Sequence, residues 1–221
     1  MQRTLVAILA IVGLLLLTAP LVAQGGPFEY RVTIYNLTKA QPFSPPVVVS
    51  HHDDIALFRA GTPASEQLAL LAEDGDTSGL VELLGTLGDV EDVAVADGPV
   101  PPGGVAELTL RAPFPYHRLS AVGMLVNTND AFFALDAATV PRQRFERETF
   151  YAPAYDAGSE FNNEDCDFIP GPACMSPGVR DTGDAEGYVY IHPGISGEVD
   201  LEASTYTWLN PVAKILVQRI R

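Results

Sequence analysis

Between Tyr155 and Cys174 the chain reads YDAGSEFNNEDCDFIPGPAC. Five carboxylates, Asp156, Glu160, Glu164, Asp165 and Asp167, fall within twelve residues there, beside Asn162 and Asn163. Like charges so close together repel, so the segment must be fully solvated or neutralised by a cation. A second segment, NTNDAFFALD, carries Asp130 and Asp136. Calcium is the cation that suits such donors. It takes six to eight oxygens at about 2.3–2.6 Å from carboxylates, carbonyls and water, with tolerant geometry. The stretch is not an EF-hand: counting from Asp156, the third residue is Gly158 and the sixth is Phe161, where that loop needs glycine. A calcium site here has to be assembled from distant segments, and Gly158 would let the backbone turn tightly between Asp156 and Glu160.

Other chemistries are more weakly signalled. Cys166 and Cys174 are the only cysteines. In an exported chain they are expected to pair, and so short a loop adds only ~2–3 kcal/mol, enough to pin the acidic loop. His51, His52, Asp53 and Asp54 form a dense polar cluster, but neighbours on an extended chain point to opposite faces, so a polar turn is expected rather than a zinc site. His192, before Pro193 and Gly194, reads as a structural histidine at a strand end, and His117, next to Arg118, as exposed. A nucleophilic hydrolase needs a Gly-x-Ser-x-Gly elbow, and GISG at 194–197 is one residue short. Paired carboxylates for glycoside hydrolysis could be drawn from any acidic loop, and no phosphate-binding glycine motif is present. The expectation is that the protein is not an enzyme.

The first residues, MQRTLVAILAIVGLLLLTAPLVAQGG, combine an early cation, an apolar run and small residues ending at Ala23. Residues 1–23 therefore read as a signal peptide, too short in its apolar run for the ~20 residues of a membrane span. The expected product, residues 24–221, is a single secreted domain, free outside the cell, at its surface or in the periplasm, with no transmembrane segment. The whole chain carries a formal charge of −15, and losing the leader removes only the basic Arg3. That charge makes nucleic acid and anionic lipid poor partners, and no nucleic-acid partner is expected.

The acidic segments need elements to position them. FEYRVTIY at 28–35 alternates Phe28, Tyr30, Val32 and Ile34 with polar or amphipathic residues, the period of a half-buried strand. Further strands are expected at 106–111, 119–126, 145–151, 187–192 and 213–220, the second nearly all apolar as a central strand would be. Thr62 as cap, Pro63 at the first position, ASEQLALLAE and a terminating Gly75 predict a helix with Leu68, Leu71 and Ala72 facing a sheet. A second short helix is expected over 79–84. Short strands joined by Pro- and Gly-rich connections such as QPFSPPV and DGPVPPGG predict an antiparallel β-sandwich of about eight strands with one or two short helices.

The opening strand followed by NLTKAQPFSPPVVVSHHD, the FRAGTPASEQLALLAEDGD helix, the strand ending in NTNDAFFALDA, the YDAGSE loop and the terminal NPVAKILVQRI together resemble the spondin N-terminal domain, in a bacterial, single-domain form. The resemblance covers nearly all of residues 24–221. It implies a sandwich of about eight antiparallel strands with a metal site in the loops at one end. Asn129 and Asp130 match a Pro-Asp pair of the family, and Asp156, Ala157, Gly158, Ser159 and Glu160 match its Asp-Ala-Gly-Thr-Asp run. Ala131 and Tyr155 stand where the family has tryptophans. The resemblance thus implies Asp130, Asp156 and Glu160 as direct Ca2+ ligands, with Asp136 as a fourth, leaving Glu164, Asp165 and Asp167 solvated. It also implies a monomeric calcium-binding adhesion module for an extracellular protein or glycan. The alternatives are a secreted hydrolase acting on polysaccharide or ester substrates and a purely structural envelope protein.

Overall fold

A computed structural model describes residues 28–221, so the expected signal peptide lies outside the described residues. Ten strands form two antiparallel sheets, with three short helices. The first sheet has the order β4 (Val105–Arg111), β1 (Glu29–Asn36), β10 (Ala213–Arg219), β7 (Arg147–Ala152). In β1, Tyr30, Val32 and Ile34 are buried, and register sets Val32 opposite Val217 and Leu108, and Ile34 opposite Ile215 and Ala106. The alternation visible in the sequence is thus the inner face of this sheet.

The second sheet has the order β3 (Val90–Val95), β2 (Val47–His51), β5 (Arg118–Met124), β6 (Ala131–Thr139), β8 (Ala154–Asp156), β9 (Tyr190–Ile191). Its centre is covered on both faces. Val48, Leu119, Ala121 and Phe133 join the core between the sheets. Val47, Val49, Val122 and Phe132 turn the other way, onto Leu68, Leu71 and Ala72 of α1 (Glu66–Asp74) and Leu80 and Leu84 of α2 (Ser78–Thr86). A strand buried on two faces gains apolar contacts from every residue and loses its alternation. That explains both the apolar run of β5 and the position of β2, which lies inside a stretch expected to be Pro-rich connection.

The start of α1 differs from the expectation: Ser65, not Thr62, caps it by accepting Leu68 N–H at 3.2 Å, so the first helical position is Glu66 and Pro63 lies before the cap, while Gly75 ends the helix at φ +69° as expected. A third helix, α3 (Ala203–Tyr206), had no expectation. Strands β2, β3, β6 and β8 bring the total above the eight expected, while the stretch 187–192 forms only the two-residue β9. Among the described residues no helix is long and apolar enough to cross a membrane.

Candidate functional site: an end-loop carboxylate cluster

The turn between β5 and β6 is closed by Thr128, whose hydroxyl donates to Leu125 O and accepts Ala131 N–H at 3.0 Å. This fixes Asp130 immediately before β6. Strand β8 pairs with β6 in the register Ala131 to Asp156, and Ala157 N–H donates to Asp130 O at 3.2 Å. Two aspartates 26 positions apart in sequence therefore share one sheet end. Beyond β8 the chain doubles back through Gly158 at φ +65°, held by its N–H on Asp156 Oδ1 at 2.7 Å. A Cβ at Gly158 would lie 2.3 Å from Tyr188 O, so the turn and the close approach both require glycine.

That turn brings the next residues over Asp130, whose Oδ2 accepts Ser159 N–H at 2.7 Å and Glu160 N–H at 3.0 Å. Glu160 Oε1 in turn accepts Asp181 N–H at 2.9 Å. The neighbouring Arg180 grips Glu73 of α1, which is almost fully buried, with Nη2 on Oε1 at 2.7 Å and Nε on Oε2. The helix layer thus holds the loop that holds Glu160.

On the other side, β9 sets Tyr190 opposite Asp156. Asn162 Nδ2 faces Asp156 Oδ2, Tyr190 OH at 3.0 Å and Glu186 Oε1 at 3.4 Å. His192 Nδ1 accepts Gly194 N–H at 3.0 Å, so its proton sits on Nε2, which points at Asn162 Oδ1 at 3.2 Å. Nε2 is also 3.7 Å from Asp156 Oδ2, an ion-pair distance. Burial, however, pushes the His192 pKa down to about 4, so the ring is neutral and the contact is not an ion pair.

Asp130, Asp156 and Glu160 are all essentially inaccessible to solvent. Burial raises the pKa of each, because a carboxylate loses its hydration there. For Asp156 the charge of Asp130 adds to the rise, and Glu160 is pushed up to about 8 with help from Glu73 and Asp130. Tyr190 is raised by burial and then by Asp156 and Glu186. Three buried carboxylate oxygens have no hydrogen-bond partner: Glu73 Oε2, which has the Arg180 guanidinium beside it as an ion pair, and Asp130 Oδ1 and Glu186 Oε2, which have no cationic side chain against them among the described residues. An orphaned buried carboxylate oxygen is costly unless a cation or proton meets it. The donors are all oxygen, the set a hard cation prefers, and each of Asp130, Asp156 and Glu160 spends an oxygen on a backbone N–H that orients it. Among the described residues no three Asp, Glu, His or Cys side chains are grouped closely enough to enclose an ion as they stand. Asp156 spends both of its oxygens, on Gly158 N–H and on Asn162 Nδ2, so Asp130 Oδ1 and Glu186 Oε2 are the oxygens left without a hydrogen bond in this cluster.

Three of the four residues expected as ligands come together, and Asp136 does not. It lies six residues along β6 from Asp130, about 20 Å at strand rise, where Ser120 Oγ is 3.4 Å from its Oδ1. Nearby, His51 is fully buried at the end of β2, not in a polar turn: its Nδ1–H donates to His52 O at 2.7 Å, and Nε2 accepts the Ser120 hydroxyl at 2.8 Å. His117 is half-buried rather than exposed. Glu164, expected to be solvated, is buried at 7% exposure, and its two oxygens accept the N–H groups of Ser196 and Gly197. It ties the loop at 194–198 to the acidic segment. Cys166 and Cys174 are joined, S–S 2.02 Å, and their loop packs by Ala173 N–H on Asn127 Oδ1 at 3.0 Å. Glu186, Asn162, Tyr190 and His192 were missed as members of the cluster, since no spacing links residues 186–192 to Asp130. The crowding of polar side chains at Asn162 was the only signal available.

No family model and no curated protein sequence matches the chain.

Proposed function

We propose that the protein is an exported, calcium-binding β-sandwich module, a bacterial relative of the spondin N-terminal domain, that works by binding an extracellular protein or glycan rather than by catalysis. The observation that carries this reading is the buried, unpartnered Oδ1 of Asp130 among Asp156, Glu160 and Glu186. Asp130, Asp156, Glu160 and Glu186 would hold the ion, with carbonyls and water completing its shell. Calcium would neutralise carboxylates whose charged forms burial disfavours, and so fix the loops at 156–164 and 180–190 in one arrangement. Those loops, with the disulfide-closed segment beside them, would be the surface offered to the partner.

Calcium titration of the purified chain tests this. A ligand that binds only the folded state adds ~2.7 kcal/mol at a hundred times its Kd, a rise in Tm of roughly 5–10 °C for a domain of this size. Asp130→Asn should remove most of that rise, and magnesium should give less of it, since it demands strict octahedral geometry and sheds water reluctantly. Equal Tm in calcium and in chelator would overturn the reading.

A further inference from the structure

At the end of the sandwich opposite the carboxylate cluster, where β1 begins and β6 and β10 finish, a cavity of about 240 Å³ opens between the sheets. Phe28, Tyr30, Phe114 and Val140 wall it. Tyr30 spends its hydroxyl on Pro141 O at 2.9 Å, so it offers the cavity only its ring. Phe114 is 78% exposed and stacks on His117 at 5.8 Å, forming an apolar lip that gains little from the fold itself. His117 donates from Nδ1 to Pro115 O at 2.6 Å, and its Nε2 faces Asp53 at 3.7 Å, so it too presents a ring face.

The charged members of the lining are Arg142 and Arg219. The guanidinium carbon of Arg219 sits over the Phe28 ring, 3.9 Å from its centroid, with Nε on Arg221 O and Nη1 on Arg142 O. Of the acids near this corner, Asp53 is held by Arg118 and faces His117, Glu29 pairs with Arg221, and Glu146 accepts Gln143 N–H at 2.8 Å. Among the described residues neither arginine has an Asp or Glu side chain within 4.0 Å, in a chain where Asp and Glu number 28 against 13 Lys and Arg. Lys39, Arg59, Arg144, Arg147 and Lys214 share that lack, and what sets Arg142 and Arg219 apart is that both border the aromatic cavity.

We infer that this cavity is a binding site for a small aromatic carboxylate, its ring held among Phe28, Tyr30 and Phe114 and its anionic head on the guanidinium groups of Arg142 and Arg219. Aromatic walls favour a flat apolar body, and planar guanidinium donors match a carboxylate. The volume is below the ~300–1,000 Å³ of sites for drug-sized ligands, which limits the body to one or two fused rings.

The test is isothermal titration of the full exported chain with 1-naphthoate, and with 1-naphthamide as the neutral control. Arg142 is exposed, so Arg142→Gln leaves the fold intact. Saturable naphthoate binding that Arg142→Gln weakens about tenfold or more, the worth of a charge-assisted hydrogen bond, with weaker and mutation-insensitive binding of the amide, is the expected result. Arg219→Lys should weaken naphthoate as well, because a point charge loses both the stacking on Phe28 and the planar fork. No saturable naphthoate binding, equal binding of acid and amide, or a Kd unchanged by Arg142→Gln would each overturn the assignment. Octanoate binding as tightly as naphthoate would also overturn it, in favour of an aliphatic acid site.

Discussion

The Oδ2 of Asp130 accepts the backbone N–H of Glu160 at 3.0 Å, so one buried carboxylate holds the chain that carries another into the same space. Such an arrangement is tolerable for two anions only if a proton or a cation sits among them. Which of the two is present should depend on pH.

In the absence of calcium, Asp130, Asp156 and Glu160 have folded-state pKa values raised above their ordinary ones, so the native state binds more protons than the unfolded state between about pH 4 and 8. Their contribution is present below the unfolded pKa and is lost as pH rises through the folded values. The metal-free protein should therefore lose stability from pH 5 to 8.5, and saturating calcium should restore most of it. The calcium-induced rise in Tm, measured by calorimetry, should be larger at pH 8 than at pH 5.5, with proton release on binding. A shift independent of pH would contradict this.

Glu160 and Glu164 are four residues apart and both buried, but they do different work. Glu160→Gln should remove most of the calcium effect. Glu164→Gln should lower the baseline stability by about 1–2 kcal/mol, because its charge supports the N–H groups of Ser196 and Gly197, while leaving the calcium-induced shift intact. Thermal melts of both variants with and without calcium separate the two roles.

His51 is buried as the neutral ring, and burial lowers its pKa below 6.5. A group whose folded pKa is depressed contributes stability above its unfolded pKa, and that contribution is lost as pH falls through the folded value. The stability advantage of the wild type over His51→Gln should be constant above about pH 6.5 and shrink below it. Urea melts across pH 4.5–8 would show this, and an advantage that grows in acid would refute it.

Ile34 is fully inaccessible, between Ile215 and Ala106. Ile34→Asp places a charge there with no partner and should cost several kcal/mol, comparable with the whole stability of a typical domain. A Tm within a degree or two of wild type would mean that β1 does not face the core.

The elements legible in the sequence were those that meet water on one side. Strands β1 and β10 alternate because their outer faces are solvated, and α1 announces itself through its apolar stripe and Gly75. Strand β2 was hidden because helices cover its second face, so Val47, Val48 and Val49 are all buried and no period survives behind Pro45 and Pro46. Residue types and local spacing specify the kind of chemistry available: a surplus of oxygen donors in two segments, a glycine to turn one of them, and two cysteines to close its neighbour. Which donors meet follows from strand pairing instead. Antiparallel register puts Asp156 beside Asp130 from the adjacent strand, whereas strand rise carries Asp136 about 20 Å away on the same strand. The short β9 then returns Tyr190 and His192, and with them Glu186, to the same sheet end, a meeting that depends on hydrogen-bond pairing between strands and leaves no trace in local spacing.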